Sequence, residues 1–402
     1  MSSVPKSTVW PTITEHPDPV MNSTAAYFMN VAITAAAKVY STTPNPRVGC
    51  VIVKDGQIVG TGWHAKPGHS HAEVNALMAA GEAARGATAY VSLEPCCHHG
   101  KTPPCTEALI AAGVTEVVYG MLDPNPIVAG KGIQALRDAG IRVGGPLLEE
   151  ESRALNRGFI KRMTEGLPYV RCKIAMSLDG RTAMASGESQ WITGPAARAD
   201  VQRLRASACA VMTGVNTVLI DNPSLNVRPE QWVASHSGLD LTPDQVQEIA
   251  ARQPLRVILD SALRTPPDAK LLSLPGETVV LTCSPHGQQA LRFADSGASV
   301  REVATEQGGR VDLRAAMQCL ASEYGCNEVL LESGPTLCGA MIKAGLVDEV
   351  IIYIGAMFLG SDAQPLLNLP GLRHMSDRVR LNIVDVCMLD GDCRITARII
   401  HQ

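Results

Sequence analysis

Apolar and polar positions along this chain fall into runs whose length and period separate helices from strands. Small apolar residues recur from Ala25 to Tyr40 through a helix-length stretch, which the Thr43-Pro44-Asn45-Pro46 turn stops. Val48 to Val53 is a continuous apolar run of strand length, Asp55-Gly56 signals a tight turn, and Ile58 to Trp63 reads as the hairpin partner. A helix from Ala72, a strand over Ala89 to Leu93, a helix from Thr106 and a strand over Glu116 to Tyr119 follow, with Gly113 as a helix stop. A helix over Gly132 to Ala139 and a strand over Ile141 to Val143 complete an α/β/α sandwich, expected to be mostly parallel and covered on both faces. Leu148, Leu155, Phe159 and Met163 stand among charges, which suits a connecting helix over Leu147 to Met163.

Gly166 and Pro168 then punctuate the chain, and a second α/β pattern begins with a strand over Tyr169 to Ala175. Further strands are predicted over Ala208 to Met212, Leu255 to Asp260, Thr278 to Thr282, Glu328 to Glu332 and Glu349 to Ile354. Two β-rich runs flank Asp390-Gly391, a hairpin signal. Pro229 to Pro254 and Ser284 to Gly309 are polar and read as long surface connections. The expected organisation is a loose tail over 1–21, a first domain over 22–166 and a second over 167–402.

Composition narrows the class. A chain of 402 residues with 46% hydrophobic and 18% charged residues can bury two cores. A formal net charge of −4 argues against a nucleic-acid partner, which requires clustered Lys and Arg. No apolar run approaches the ~18 residues that span a bilayer. The first twenty residues lack the basic and apolar regions of a signal peptide. Several of the twelve cysteines lie in apolar runs (Cys172, Cys209, Cys338), which fits the reducing cytoplasm better than a disulfide scaffold.

The densest chemistry lies in the first half. Ser70-His71-Ala72-Glu73, Glu94-Pro95-Cys96 and Cys105 offer one imidazole, two thiolates and a spare carboxylate. Zinc takes such N/S ligands tetrahedrally, and a catalytic zinc keeps its fourth position for water. His-x-Glu followed by Pro-Cys-x-x-Cys is the zinc-deaminase signature, in which the Glu moves protons and is not a ligand. Here eight residues, not two, separate Cys96 from Cys105. His71 and Glu73 converge only if the helix starts between them, with Ser70 as its expected cap. Thr102-Pro103-Pro104-Cys105 reads as a second helix start. An ion so held lowers the pKa of its water towards ~7, and Glu73 relays the proton to the ring nitrogen and the departing ammonia. The Asn45 amide is placed to orient a substrate. Cys97, His98 or His99 offer a fourth ligand for a closed structural site, and Cys97 is an alternative to Cys96. Glu73 has no use in a closed site, which favours the open one. His64 and His69 read as rim or solvent-facing groups.

Thr43 to Cys50, His71-Ala72-Glu73-Val74 and Glu94 to Cys105 resemble the bifunctional riboflavin-biosynthesis deaminase-reductases of bacteria, in which the long gap between the two Cys is typical. Cys97 is the local departure, where a small polar residue is expected. The resemblance implies a cytidine-deaminase-like sandwich that deaminates 2,5-diamino-6-ribosylamino-4(3H)-pyrimidinone 5′-phosphate. His71, Cys96 and Cys105 then hold zinc, Glu73 shuttles the proton, and His98, His99 and Lys101 line the substrate side.

Unaided, the second half says less. No Gly-x-Gly-x-x-Gly follows a strand, so a Rossmann site is unsupported. Leu330 to Ala340 reads as strand, Gly-Pro turn and helix start, either a phosphate cradle or a plain turn, and Gly214 to Thr217 offers a second such place. Arg205 and Arg228 are candidates to clamp a dianion, against the plainer reading as solvated surface. Lys173 to Ala183, Gly187 to Thr193, Thr217 to Pro223, Asp260-Ser261 and Glu332 with Gly334 to Ala340 resemble the family's reductase domain, with its dihydrofolate-reductase-like fold. The implied reaction is NADPH-dependent reduction of the ribosyl to a ribityl chain. By position, Ala175, Trp191, Thr217, Asp221, Ser261 and Gly334, Pro335, Thr336, Leu337, Cys338, Gly339 and Ala340 contact NADPH. Ser189, Arg205, Leu225, Arg228 and Glu332 contact the substrate, and Lys173 assists near the sugar. The expected partners are this small pyrimidine ribosyl phosphate and further copies of the chain, with neither nucleic acid nor membrane. The competing expectation is a deaminase of another free nucleotide whose second domain binds a nucleotide without catalysis.

Overall fold

The computed structural model describes residues 24–99, 103–232, 241–284, 293 and 296–401. The expected tail over 1–21 lies outside them. The described residues form two compact units that divide between Leu167 and Pro168.

In the first unit, helix α1 (Ala25–Ala37) precedes the hairpin of β1 (Gly49–Lys54) and β2 (Gln57–Trp63). Then come α2 (Ala72–Ala80), β3 (Thr88–Val91), α3 (Cys105–Ala111), β4 (Glu116–Tyr119), α4 (Lys131–Asp138) and β5 (Arg142–Gly144). The sheet order is β2-β1-β3-β4-β5. It is mixed where a mostly parallel sheet is expected: β1 runs antiparallel to both β2 and β3, while β3, β4 and β5 are parallel. Hairpin and βαβ connections each impose their own direction.

The apolar run in β1 has a physical reason. Cys50 and Ile52 pack with Ala72, Ala76, Leu109 and Leu136 of α2, α3 and α4 on one face. Val51 and Val53 pack with Phe28, Met29 and Ala32 of α1 on the other. Both faces are buried, so period-two polarity is lost. Helix α2 lies directly on β2, because a Cβ at Gly60 would fall 2.2 Å from Ala76 O and one at Gly62 2.3 Å from Ala76 N. This contact sets the height of the helix that carries Glu73.

The expected helix over Leu147 to Met163 is two helices, α5 (Glu149–Leu155) and α6 (Arg157–Glu165). Asn156 breaks it, with φ −119° and ψ 24°. Its buried side chain accepts from Arg47 N at 2.8 Å and donates to Arg47 O at 2.9 Å, pinning the turn that carries Asn45.

In the second unit the long strand β6 (Tyr169–Ser177) is followed by β7 (Arg181–Ala183), α7 (Pro195–Ser207), β8 (Ala210–Gly214) and α8 (Val215–Asp221). Next are α9 (Pro243–Ala251), β9 (Leu255–Leu259), β10 (Thr278–Thr282), β11 (Ala298–Glu302), β12 (Thr305–Glu306), β13 (Arg310–Val311), α10 (Leu313–Ser322) and β14 (Glu328–Leu331). The chain ends with α11 (Pro335–Lys343), β15 (Glu349–Gly355), β16 (Gln364–Pro365), β17 (Arg380–Leu389) and β18 (Asp392–Ile400). Among the described residues, the main sheet has order β11-β10-β9-β8-β14-β6-β15-β18-β17. It is parallel from β11 to β15, and β18 and β17 close it as an antiparallel hairpin. Both stretches expected as plain connections contain structure. Residues 229–254 include α9, which opens with a capping box between Thr242 and Gln245. Residues 284–309 include the edge strand β11 and the short β12.

Candidate active sites

Helix α2 begins at Ala72, and His71 is its N-cap with extended backbone (φ −73°, ψ 168°). His71 and Glu73 can therefore converge although two residues apart. Ser70 is not the cap: its carbonyl accepts from His64 Nδ1–H at 3.2 Å and from Asn75 Nδ2 at 3.4 Å. Cys96 lies in the turn after β3, and Cys105 is the first residue of α3 behind Pro104. Thr102, the expected cap there, and Lys101 lie outside the described residues.

The ligand atoms of His71, Cys96 and Cys105 all lie within 4.8 Å of one another. His71 Nδ1 stands 3.2 Å from Cys105 Sγ and 3.5 Å from Cys96 Sγ. A tetrahedral ion with Zn–S of about 2.3 Å and Zn–N of about 2.05 Å holds its N and S ligands about 3.5 Å apart, so the donors fit zinc in kind and spacing. The Cys105 amide donates to Cys96 Sγ at 3.4 Å. Among the described residues no fourth side chain joins the cluster. His99 instead faces Glu107 at 3.9 Å, with both side chains mostly exposed. The hydrogen bond from Cys105 and the neighbouring His71 pull the Cys96 thiol down to about 4. Cys105 is pushed up, because it donates to Cys96 and is buried.

Glu73 is buried, and burial, aided by the Cys96 charge, pushes its carboxyl up to about 7. A carboxyl at that value can both take and give a proton near neutrality. His64 is buried, not at the rim as its sequence context implies. Its ring packs edge-on to His71 at 5.3 Å, and Asn45 Nδ2 lies 3.0 Å from its Nε2. With Nδ1–H on Ser70 O, Nε2 is the acceptor, and burial lowers the ring's pKa, which favours that neutral form. Composition and spacing also pass over Asp123, which is buried and pushed up to about 6 by its burial. Its only sequence signal is the Asp123-Pro124-Asn125-Pro126 turn, where Asn125 N donates to its Oδ1 at 2.8 Å.

In the second unit, adjacent parallel strands β9, β8 and β14 deliver Ser261, Thr217 and Gly334 just beyond their carboxyl ends, where open α/β sheets bind ligands. Ser333 Oγ accepts from Gly214 N at 3.3 Å and lies 3.2 Å from Thr217 Oγ1, which accepts from Gly334 N at 3.3 Å. A Cβ on Gly334 would meet nothing within 4 Å, so a ligand can lie against this backbone. Pro335 opens α11, where Thr336 is exposed and Leu337 and Ala340 are at least partly so. Cys338 and Gly339 turn inward, the latter backed onto Asn368 O. Ala175 sits in β6, and Asp221 is the exposed last residue of α8. Ser261 Oγ accepts from Val311 N at 3.0 Å. Trp191 is exposed, with the Arg198 guanidinium 4.5 Å over its ring, and half-buried Ser189 precedes it in the same loop.

A cationic cluster surrounds Glu332. Arg205 grips it with Nε on Oε1 at 2.6 Å and Nη2 on Oε2 at 3.0 Å, and its Nη1 donates to Asn226 O at 3.0 Å. Lys173 Nζ is 3.7 Å from Oε2. The Arg205 fork is therefore spent on the carboxylate and is not an open clamp for a dianion. Arg228 differs: among the described residues its buried Nε has no partner. Leu225 is buried, with φ 51°, in the core cluster that includes Val201, Leu204 and Leu330. Burial pushes the Glu332 carboxyl up, but Arg205, Lys173 and Arg228 outweigh it and hold the group at about 2.

These features define a zinc-dependent deaminase joined in one chain to a dihydrofolate-reductase-like reductase. Residues 22–121 match the cytidine and deoxycytidylate deaminase zinc-binding region, and residues 168–394 match the RibD C-terminal domain. The chain is 48% identical to the riboflavin biosynthesis protein RibD of Escherichia coli, over 90% of this chain and 95% of that one. Acinetobacter baumannii RibD superposes with TM-score 0.83 at 46% identity, covering 95% of this chain and 99% of that chain. A Thermotoga maritima diaminohydroxyphosphoribosylaminopyrimidine deaminase/5-amino-6-(5-phosphoribosylamino)uracil reductase superposes at 0.78 with 31% identity, over the same shares. The chain belongs to the RibD family of riboflavin biosynthesis. It is a bifunctional deaminase and reductase that uses zinc and NADPH, which sets aside a non-catalytic second domain. Among the described residues no helix is long and apolar enough to cross a membrane.

Proposed function

We propose that the first domain, 22–166, deaminates 2,5-diamino-6-ribosylamino-4(3H)-pyrimidinone 5′-phosphate, and that the second, 167–402, reduces the ribosyl group of the product. The observation that carries the first step is the three-ligand cluster beside a buried carboxyl near 7. His71, Cys96 and Cys105 hold the zinc, which when bound acidifies water and polarises the ring carbon. Glu73 takes one water proton and gives it to the ring nitrogen as the hydroxyl adds to the carbon, then passes the hydroxyl proton to the amine, which leaves as ammonia as the carbonyl forms. Asn45, braced by His64, orients the ring, with Lys101 on the substrate side.

In the second domain, NADPH supplies hydride when bound. Ala175, Trp191, Thr217, Asp221, Ser261 and the stretch from Gly334 to Ala340 hold it, the inward Cys338 and Gly339 by shaping the helix start. Ser189, Leu225 and Arg228 bind the substrate, with Arg228 on the 5′-phosphate. Arg205 serves by fixing Glu332, which in turn places Lys173 near the sugar. Supplying the diaminopyrimidine with and without NADPH, and identifying products by mass, tests the scheme. Deamination alone is expected without NADPH and the ribityl product with it; no ammonia released in either arm would sink the substrate assignment.

The same chain is proposed to self-associate through β17. Leu381, Ile383, Val386 and Met388 are exposed on this edge strand. The register shifts between Ile383 and Asp385, so the four stay on one face although their numbering changes parity. An apolar row on an open edge fits a second copy of itself. Ile383→Lys should lower the mass in sedimentation; an unchanged mass would place the interface elsewhere. The cytoplasm is the proposed compartment, since none of the twelve cysteines is joined in a disulfide.

A further inference from the structure

We propose that Glu94 is a positioning residue for the deaminase metal centre: its carboxylate fixes the Glu94-Pro95-Cys96 segment, and so the Cys96 thiolate, against α4 and the loop before it. The inference rests on Cys96 being a zinc ligand. Glu94 is 3% exposed, and the donors that reach its carboxylate among the described residues are backbone amides. Its Oε2 accepts from Asp123 N at 3.2 Å and Gly130 N at 2.9 Å. Its Oε1 accepts from Gly132 N at 3.0 Å and Ile133 N at 3.3 Å. An ionised carboxylate is an acceptor-only group with room for all four. No other side chain of this size meets four amide hydrogens without presenting one of its own.

The consequence reaches the metal because the segment is stiff and held from both sides. Glu94 N donates to Met121 O at 2.9 Å. A Cβ at Gly132 would fall 2.0 Å from Pro95 O, so the first turn of α4 touches the segment directly. On the far side Thr106 N donates to Cys96 O at 3.2 Å, and Cys105 N to Cys96 Sγ at 3.4 Å. One proline separates the anchored carboxylate from the ligating sulfur. The same oxygen that holds Gly130 holds Asp123, so this loop and the metal ligand share one anchor. Outer groups that orient ligands in this way commonly control metal affinity and rate by 10–100-fold.

Glu94→Gln in the full chain tests this, because an amide keeps the shape and puts an NH2 against two of the four N–H groups. Zinc transfer to a chelator should be 10–100-fold easier, and kcat for deamination should fall in the same range with little change in KM. NADPH oxidation on pre-deaminated substrate should equal the parent's. A merely structural role would lower the unfolding midpoint while leaving zinc affinity and kcat of the folded protein unmoved, and that result overturns the proposal. Glu94→Asp keeps the charge but shortens its reach, and should fall between parent and Gln. If Glu94→Gln does not fold, Glu94→Asp decides alone: parental zinc affinity and kcat in it overturn the proposal. A parent chain that holds no zinc would instead undo the metal reading.

Discussion

Glu73 and Glu332 are both buried glutamates, yet their protons behave oppositely. Glu73 has two thiols and an imidazole beside it, and burial with the Cys96 charge pushes it up to about 7. Glu332 is equally removed from water, but Arg205, Lys173 and Arg228 outweigh burial and hold it at about 2. Desolvation acts alike on both, so the sign is decided by which charges stand within a few ångströms. The first is poised to exchange a proton near neutrality. The second is a fixed anion held among three cations.

The largest expected effect follows from that contrast. Glu73→Gln removes the buried carboxyl proposed to carry the proton, so deamination should fall about 10²–10⁴-fold. Zinc content by metal analysis and NADPH oxidation on pre-deaminated substrate should be unchanged. Deamination that survives would show that the proton travels another way, and the two glutamates would no longer differ in role. Next in size is Glu332→Gln, which leaves buried Arg205 and half-buried Lys173 without their counter-charge and should cost about 3–5 kcal/mol. Urea unfolding, with NADPH oxidation and deamination as separate reporters of the two units, should show the loss in the reductase alone. A loss below about 1 kcal/mol would mean the pair is solvated like a surface bridge.

The two sites were unequally legible in the residues. The proposed zinc ligands lie in three short segments at helix starts and a strand end, where residue type and spacing speak for themselves. Glu332, Arg205, Arg228 and Lys173 come from four distant elements, and only a family resemblance joins them. It could not show that Arg205 is spent on Glu332, because that depends on which partner a fork meets after folding. Glu94 was invisible in its role for another reason: its partners are backbone amides of 123–133, which carry no residue-type signal. The capping box at the head of α9, by contrast, is written in Thr242-Pro243-Asp244-Gln245 and was obscured by the polar stretch around it. In β17 the alternation is masked by the register shift, so an apolar face reads as a disordered pattern.

Acidity separates the glutamates in opposite pH windows. The Glu332 value lies below its unfolded one of 4.5, so its contribution is present above pH 4.5 and is lost as pH falls towards 2; the shift amounts to roughly 3 kcal/mol. The Glu73 value lies above its unfolded one, so its contribution in zinc-free protein is full below pH 4.5 and is lost as pH rises towards 7, by a similar amount. Urea midpoints across pH 2–7 on chelator-treated protein should therefore fall on the acid side for the reductase; for the deaminase, the midpoint of the parent relative to Glu73→Gln, in which the opposed titration of Cys96 cancels, should fall as pH rises from 4.5 towards 7. Slopes of the same sign in both units would contradict the opposed environments.

Arg228 gives the smallest effect and the sharpest test of what the Glu332 cluster is for. Arg205 and Lys173 already more than balance the carboxylate, so Arg228 adds a further positive charge that Glu230 offsets only in part, and its Nε is left without a partner among the described residues. Burial and the nearby Arg205 lower its pKa somewhat, yet a guanidinium stays ionised under any working condition. A dianionic phosphate is the natural counter-charge, worth about 1.5–3 kcal/mol for a charged hydrogen bond. Arg228→Ala should raise KM for the phosphorylated substrate about 10–100-fold at nearly constant NADPH affinity and fold stability, and Arg228→Lys should recover part of it. Equal losses for substrate and NADPH would move Arg228 from the phosphate to the cofactor. If neither changed, the surplus charge would be no ligand site, and Glu332 would be only the centre of a structural ion cluster.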